Sequence, residues 1–249
     1  MPIVSFPIGR RRFAPTWPMT LLTIALCLVF VRLGHWQWDR GVHRQAEWDA
    51  FARGADAAVP ADGRSLRSRA RFTHVAVSGR WDGAHQFLLD NRSHGGLPGY
   101  EVLTPLQLGD GGILLVDRGW VPFTGSRAHL PDISLRDGAE VSVSGRLDNL
   151  PVGGLALGHA APAADPRWPK VTSYPSFAEL AAALHHPVAP WMLLLDPATP
   201  SGYVRDWQAP GLPPLRHFSY AIQWWGFAVT LLIIWGIMSA RRQEPKQPA

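Results

Sequence analysis

The chain has 249 residues, 47% of them hydrophobic and 17% charged, with a formal net charge of +5. Charge this sparse departs from the roughly one quarter usual in soluble domains, and the basic excess comes without a lysine-rich stripe, so no nucleic-acid partner is expected. The single cysteine, Cys27, excludes an intrachain disulfide, a C-x-x-C-H haem attachment and a copper site built on a cysteine pair.

Residues 1–12 read as a basic tail carrying Arg10, Arg11 and Arg12. An uncharged run then predicts a transmembrane helix over 13–33, with Pro15 and Pro18 suited to its first turn. No small-x-small cleavage site follows, so the segment reads as a retained anchor rather than a signal peptide. Cys27 lies inside it and reads as a small apolar residue.

Residues 34–216 read as one mostly β domain, antiparallel and barrel-like, with one or two short helices. Asp39 to Arg53 is expected to form a short amphipathic helix, and Ala55 to Ser68 a loop. Strands are predicted over 72–81, 86–90, 100–106, 112–117, 140–147 and 191–196, with turn residues between them, Gly138 and Ala139 leading into the fifth. Ser176 with Glu179 three residues on is a capping-box pattern that starts a helix stopped by Pro187. The chain around 153–169 is rich in alanine and proline and predicts a loop. A second transmembrane helix is expected over 217–240, followed by a basic tail, 241–249, carrying Arg241, Arg242 and Lys246. Arginines in both tails favour two cytoplasmic termini and a domain on the far side, although Arg32, Arg40, Arg44 and Arg216 flank the other ends. Twelve tryptophans, several beside the apolar segments, suit a membrane–water boundary.

Enzymatic signatures are missing: the sequence has no G-x-S-x-G, P-loop, G-x-G-x-x-G after a strand, or H-E-x-x-H. His185 and His186 are adjacent and read as surface residues at a helix end. His74, His85 and His94 are scattered over strands and a loop. Asp90 and Asp117 read as strand-end turn residues. The informative stretch is the entry to the second span. At helical spacing His217, Tyr220, Ala221, Trp224 and Ala228 share a face, with Gln223 on the adjacent flank. Imidazole is a natural axial ligand for haem iron, small residues admit a macrocycle or a partner helix, and Arg216 and Arg205 would suit propionates. The same residues also suit an interfacial belt facing headgroups, and both readings stand.

Four blocks carry a family resemblance. Leu33-Gly34-His35-Trp36-Gln37-Trp38-Asp39-Arg40 resembles the L-G-x-W-Q-x-x-R motif of the surfeit locus protein 1 family, the cytochrome c oxidase assembly factors. Gly99 to Leu106 resembles its G-Y-x-V-x-T-P-L, and Val116-Asp117-Arg118-Gly119-Trp120-Val121-Pro122 its V-N-R-G-W-V-P. Arg205-Asp206-Trp207 with Arg216 to Trp224 resembles its closing R-D-W … R-H-x-x-Y-A-x-Q-W. Asp117 departs from the usual asparagine, and His35 falls at a variable position. The resemblance implies an assembly factor without turnover, in a bacterial inner membrane with a periplasmic domain. It implies transient haem a binding at His217, with Arg216, Tyr220, Gln223 and Trp224 around it, and Gly34, Trp36, Gln37, Arg118 and Trp120 as packing or partner residues. Implied partners are oxidase subunit I, haem a synthase or other assembly factors, and membrane lipids. A scaffold that holds subunit I by protein contacts alone is the competing expectation.

Overall fold

The computed structural model describes residues 6–8, 11–54, 57–135, 138, 140–153, 158–200 and 202–242. Arg10, Ala139, Lys246 and residues 154–157 of the alanine- and proline-rich loop lie outside the described residues. The chain forms two compact units, residues 1–49 with 210–249, and residues 50–209.

In the first unit the dominant elements are helices α1 (Trp17–Arg53) and α4 (Pro214–Ser239). Each is long and apolar enough to cross a membrane. An uncharged backbone in hydrocarbon has no water to bond to, and the helix satisfies every N–H and C=O internally. The sequence suggests a break after residue 33 and a separate helix over 39–53, but α1 runs through. No proline interrupts it, and its polar half is held by same-face pairs: Gln45 Nε2 donates to Asp49 Oδ1 at 2.9 Å, and Arg44 pairs with Glu47 at 2.5 Å. Helix α4 begins a little before the apolar run, because Pro214 sits at its first position, where no N–H is needed.

The two helices pack antiparallel. The Trp235 indole donates to Thr20 Oγ1 at 3.1 Å near one end, and the Trp48 indole donates to the Pro210 carbonyl at 3.2 Å near the other. Between them the Cys27 thiol contacts the Ala228 carbonyl at 3.7 Å, so Cys27 faces its partner helix. Ala221 and Ala228 are buried, while Leu22, Leu28, Ile222, Val229 and Ile233 are each at least half exposed. Apolar side chains outside and small ones inside are what a helix pair in lipid requires. The tails meet at one end: β1 (Phe6–Ile8), β2 (Arg11–Phe13) and β11 (Ala240–Arg242) form a small antiparallel sheet, with Phe13 opposite Ala240.

The second unit is a mixed sheet with short helices. Its strands are β3 (Val59–Pro60), β4 (His74–Trp81), β5 (Phe87–His94), β6 (Leu97–Leu108), β7 (Ile113–Pro122), β8 (Glu140–Asp148), β9 (Lys170–Thr172) and β10 (Val188–Leu195). Its helices are α2 (Gly63–Leu66) and α3 (Phe177–Leu184). Strands pair in the order β3-β4-β8-β10-β7-β6-β5-β9, and an added β4–β6 pairing closes β4, β8, β10, β7 and β6 into a ring. Most pairings are antiparallel, but β7–β10, β3–β4 and β5–β9 are parallel. Parallel neighbours need a crossover of a dozen or more residues, and the long chain between β7 and β10, with α3 in it, provides one.

Alternation sorts the side chains. Val75, Val77, Leu106, Leu114, Val116 and Leu193 form a core capped by Leu66 of α2. The opposite faces of β7 and β10 present Leu115, Met192 and Leu194, covered by Leu180 of α3 and by Phe51. Helix α3 has the capping box the sequence announces: Ser176 Oγ accepts from the Glu179 N–H, and the Glu179 carboxylate accepts from the Ser176 N–H. His185 closes it in a left-handed conformation at φ 53°.

Candidate functional site

The four family-like blocks collect into two constellations, one in each unit. In the helical unit, His217 Nδ1 lies 2.9 Å from Gln37 Oε1. These side chains are 180 residues apart in sequence and come from the first and last blocks. An amide oxygen can only accept, so Nδ1 is the donor, and in the neutral imidazole Nε2 then carries the lone pair. His217 and Gln37 are both half-buried.

Aromatic packing supports this pair on either side. Gly34 is buried, and a Cβ there would run into the Trp225 indole; one at Gly41 would meet the Phe218 ring. Glycine therefore sets how closely α1 and α4 approach. Trp38 contacts Phe218 and Trp225 at ring separations of 4.9 and 5.8 Å. Trp224 stacks on Phe30 at 5.7 Å. So the face predicted to meet a macrocycle or a helix meets a helix, through Ala221, Trp224 and Ala228. Tyr220, Gln223 and Arg216 are exposed on the outer flank. Trp36 is also exposed, with the Arg40 guanidinium 6.0 Å from its ring. His35 turns back to the Val31 carbonyl at 2.8 Å, as expected of a position the motif leaves variable.

The second constellation is built on β6 and β7. Gly119 has φ +111°, and a Cβ there would strike the Val204 carbonyl, so only glycine fits. That close approach lets the Trp120 N–H donate to Val204 O at 2.8 Å and the Tyr203 N–H donate to Arg118 O at 2.7 Å. The third block is thereby joined to the chain entering Arg205-Asp206-Trp207. Arg118 is buried; its Nη1 donates to Gln86 Oε1 at 3.1 Å and its guanidinium lies 4.9 Å from the Tyr203 ring. Burial pulls the guanidinium below its ordinary value, against the opposing pull of Tyr203. Gln86 Nε2 in turn donates to the carbonyls of Gly83 and Ile133, so the polar network is extended into backbone. Arg205 Nη1 donates to the carbonyls of Asp196 and Thr199. The propionate role the sequence suggests for Arg205 has no support in that placement, because the guanidinium ties down its own loop.

Asp117 corrects the reading of a strand-end turn. It sits inside β7, fully buried, opposite Leu103. Its Oδ1 accepts from the Gly119 N–H at 2.9 Å, and Oδ2 has no hydrogen-bond partner among the described residues. Burial first, and the nearby Glu101 second, hold its carboxyl well above the ordinary range, against smaller opposing effects of Gly119 and Arg92. Glu101 is raised too, by burial, despite Arg92 at 2.9 Å. Asp90 instead pairs with Arg127 at 2.5 Å. The histidines disperse: His74 to Asp196 at 2.8 Å, His85 to Asp82 at 2.8 Å, His94 against the Trp120 ring at 5.5 Å.

Sequence reasoning missed Trp225, Trp38 and Phe218 as the packing that frames His217. The signal was present: Gly34 and Gly41 lie seven apart on one helical stripe, which invites large partners from the facing helix. It also missed Gln86 and Thr104 beneath Arg118, which only the fold brings together.

No curated protein sequence matches the chain. The SURF1 family model matches residues 24–229, which takes in both constellations. The chain, with two candidate membrane helices around a mostly β domain, therefore belongs to the SURF1 family, which is associated with cytochrome c oxidase assembly.

Proposed function

We propose that this protein assists delivery of haem a to oxidase subunit I, or its insertion there, as a transient carrier without turnover of its own. The observation that carries the reading is the Gln37–His217 hydrogen bond. Metal-ligating histidines commonly donate their second ring N–H to a carbonyl or carboxylate, which sets the tautomer and the ring orientation. Gln37 does this for His217, and Nε2 has no hydrogen-bond partner among the described residues. Those residues fit an axial imidazole. His217 would hold the iron, and the neighbouring Arg216 would meet a propionate. Tyr220 and Gln223, exposed on α4, would line the site's outer side, while Trp224 acts through helix packing. Bound haem would supply an iron able to accept the imidazole nitrogen of His217. The protein's own part is to hold the imidazole at one depth beside an apolar surface.

The setting proposed is a bacterial inner membrane, with both tails cytoplasmic and residues 50–209 periplasmic. The arginines of both tails support it, as does the pairing of β2 with β11, which brings the tails to one side. Lipids, subunit I and haem a synthase or another assembly factor are the expected partners.

One observation favours a scaffold reading as well. Leu215, Ile222 and Val229 form an outward stripe on α4, each more than half exposed, a face open to helices of subunit I. Reduced-minus-oxidised spectra separate the two readings. The protein is purified from membranes of a host making haem a, as wild type, His217→Ala and Gln37→Leu. A haem a band present in wild type, lost in His217→Ala and weakened about 10–100-fold in Gln37→Leu is the expected result. No band in wild type, with subunit I still co-purifying, would overturn the carrier and leave the scaffold.

A further inference from the structure

The alanine- and proline-rich chain before β9 folds over a cleft of about 560 Å³ in the β-rich unit. Its walls are the Ala161–Pro166 segment, Trp168 and the C-terminal end of α3, with His85 beside Trp168. Pockets of this volume accept small molecules. What sets this one apart is Lys170, which lines it and is only 6% exposed. Its ammonium donates to the carbonyls of Ala163 and Asp165 at 2.6 and 2.5 Å and lies 4.8 Å from the Trp168 ring. No carboxylate is in contact with it among the described residues, although the charge of Asp165 is near enough to interact. The two acids on the walls are already engaged: Asp165 with Arg167 at 2.8 Å, and Glu179 with His159 at 3.0 Å and the N-cap of α3.

A buried ammonium with no carboxylate in contact is costly, and carbonyl dipoles and the nearby Asp165 charge offset only part of that cost. An ammonium has three donors, and two are in use. His85 adds a second polar edge. Its Nδ1 is held by Asp82 at 2.8 Å and its ring stands edge-on to Trp168 at 4.9 Å. Apart from the two acids and His185, the remaining surface is alanine, proline, Leu184 and the Trp168 indole. We infer that this cleft binds a small monocarboxylate with an apolar or aromatic body, its carboxylate on Lys170 and its body against Trp168 and the alanines. This site is independent of His217.

The probe is para-fluorophenylacetate, followed by fluorine NMR on the full-length protein in micelles, against protein-free micelles and the uncharged para-fluorophenylacetamide. The expected result is binding of the acid at least about tenfold tighter than the amide, the size of one charge-assisted hydrogen bond. Lys170→Met should abolish that preference. Because Lys170 also ties down the loop, Ala182→Trp serves as the second variant: it fills the cleft from exposed α3, leaves the lysine in place, and should abolish binding of both probes. Equal affinity for acid and amide, no binding of the acid, or unchanged binding in Ala182→Trp would overturn the inference.

Discussion

Asp117→Asn should stabilise this protein, by an amount that grows with pH. The folded-state carboxyl is held above its ordinary 3.8 by burial and by Glu101. The native state therefore keeps a proton that the unfolded chain releases above that value. Stability attributable to this group is greatest below 3.8 and falls as pH rises, until the buried carboxyl itself ionises. Within that window the slope is about 1.4 kcal/mol per pH unit for one proton. Asparagine is nearly isosteric, keeps the oxygen that accepts from the Gly119 N–H, and has no such slope. Its amide nitrogen inherits the unpartnered place of Oδ2, so hydrogen bonding is close to even between the two. The assay is urea unfolding of both full-length proteins in micelles, followed by tryptophan fluorescence at two pH values about one unit apart, both above the ordinary carboxylate range. An advantage that widens by about 1 kcal/mol or more between them is the expected outcome. A difference independent of pH, or a less stable asparagine variant, would refute the assignment of a protonated buried carboxyl.

Gly34→Leu should force α1 away from Trp225 and cost about 1–3 kcal/mol or more through overpacking, read as a lowered thermal midpoint in micelles. Gly119→Ala should weaken the junction between β7 and the chain at Val204; proteolysis near residues 203–207 should speed up while the helical unit stays protected. Leu180→Ala removes the fully buried contact of α3 and should cost about 2–5 kcal/mol in the same urea assay. Arg118→Met leaves Gln86 Oε1 without its guanidinium donor and should cost about 1–3 kcal/mol, whereas Gln86→Ala made on top of it should cost less than the sum of the two.

The helices and most strands were legible because each is written locally. The uncharged runs announce α1 and α4, alternation announces β4 and β8, and Ser176 with Glu179 announces α3. The polar continuation of α1 was misjudged, because periodicity in Asp39 to Arg53 cannot show whether a helix restarts or never stopped. Strands β3 and β9 are two and three residues long, too short for any period to register. The parallel placement of β10 beside β7 depends on the path of the chain between them. At the candidate site, the helical face with His217 could be read from spacing, but its partner Gln37 could not, since nothing local links positions 180 apart. The burial of Asp117 was hidden for a related reason. An aspartate before Arg-Gly looks like a turn, and only the fold shows that β7 runs on past it with both faces covered.

That separation has a consequence in time. At about 5–20 residues per second of synthesis, the 180 residues between Gln37 and His217 take roughly ten to forty seconds to appear. For that interval α1 waits in the bilayer with its glycine notches empty. The β-rich unit between the helices has time to fold before the second helix arrives. The imidazole is among the last groups to reach its place, so a chain that stalls or misfolds midway never presents it. Closure of the Gln37–His217 hydrogen bond is therefore a late event in the synthesis of the chain.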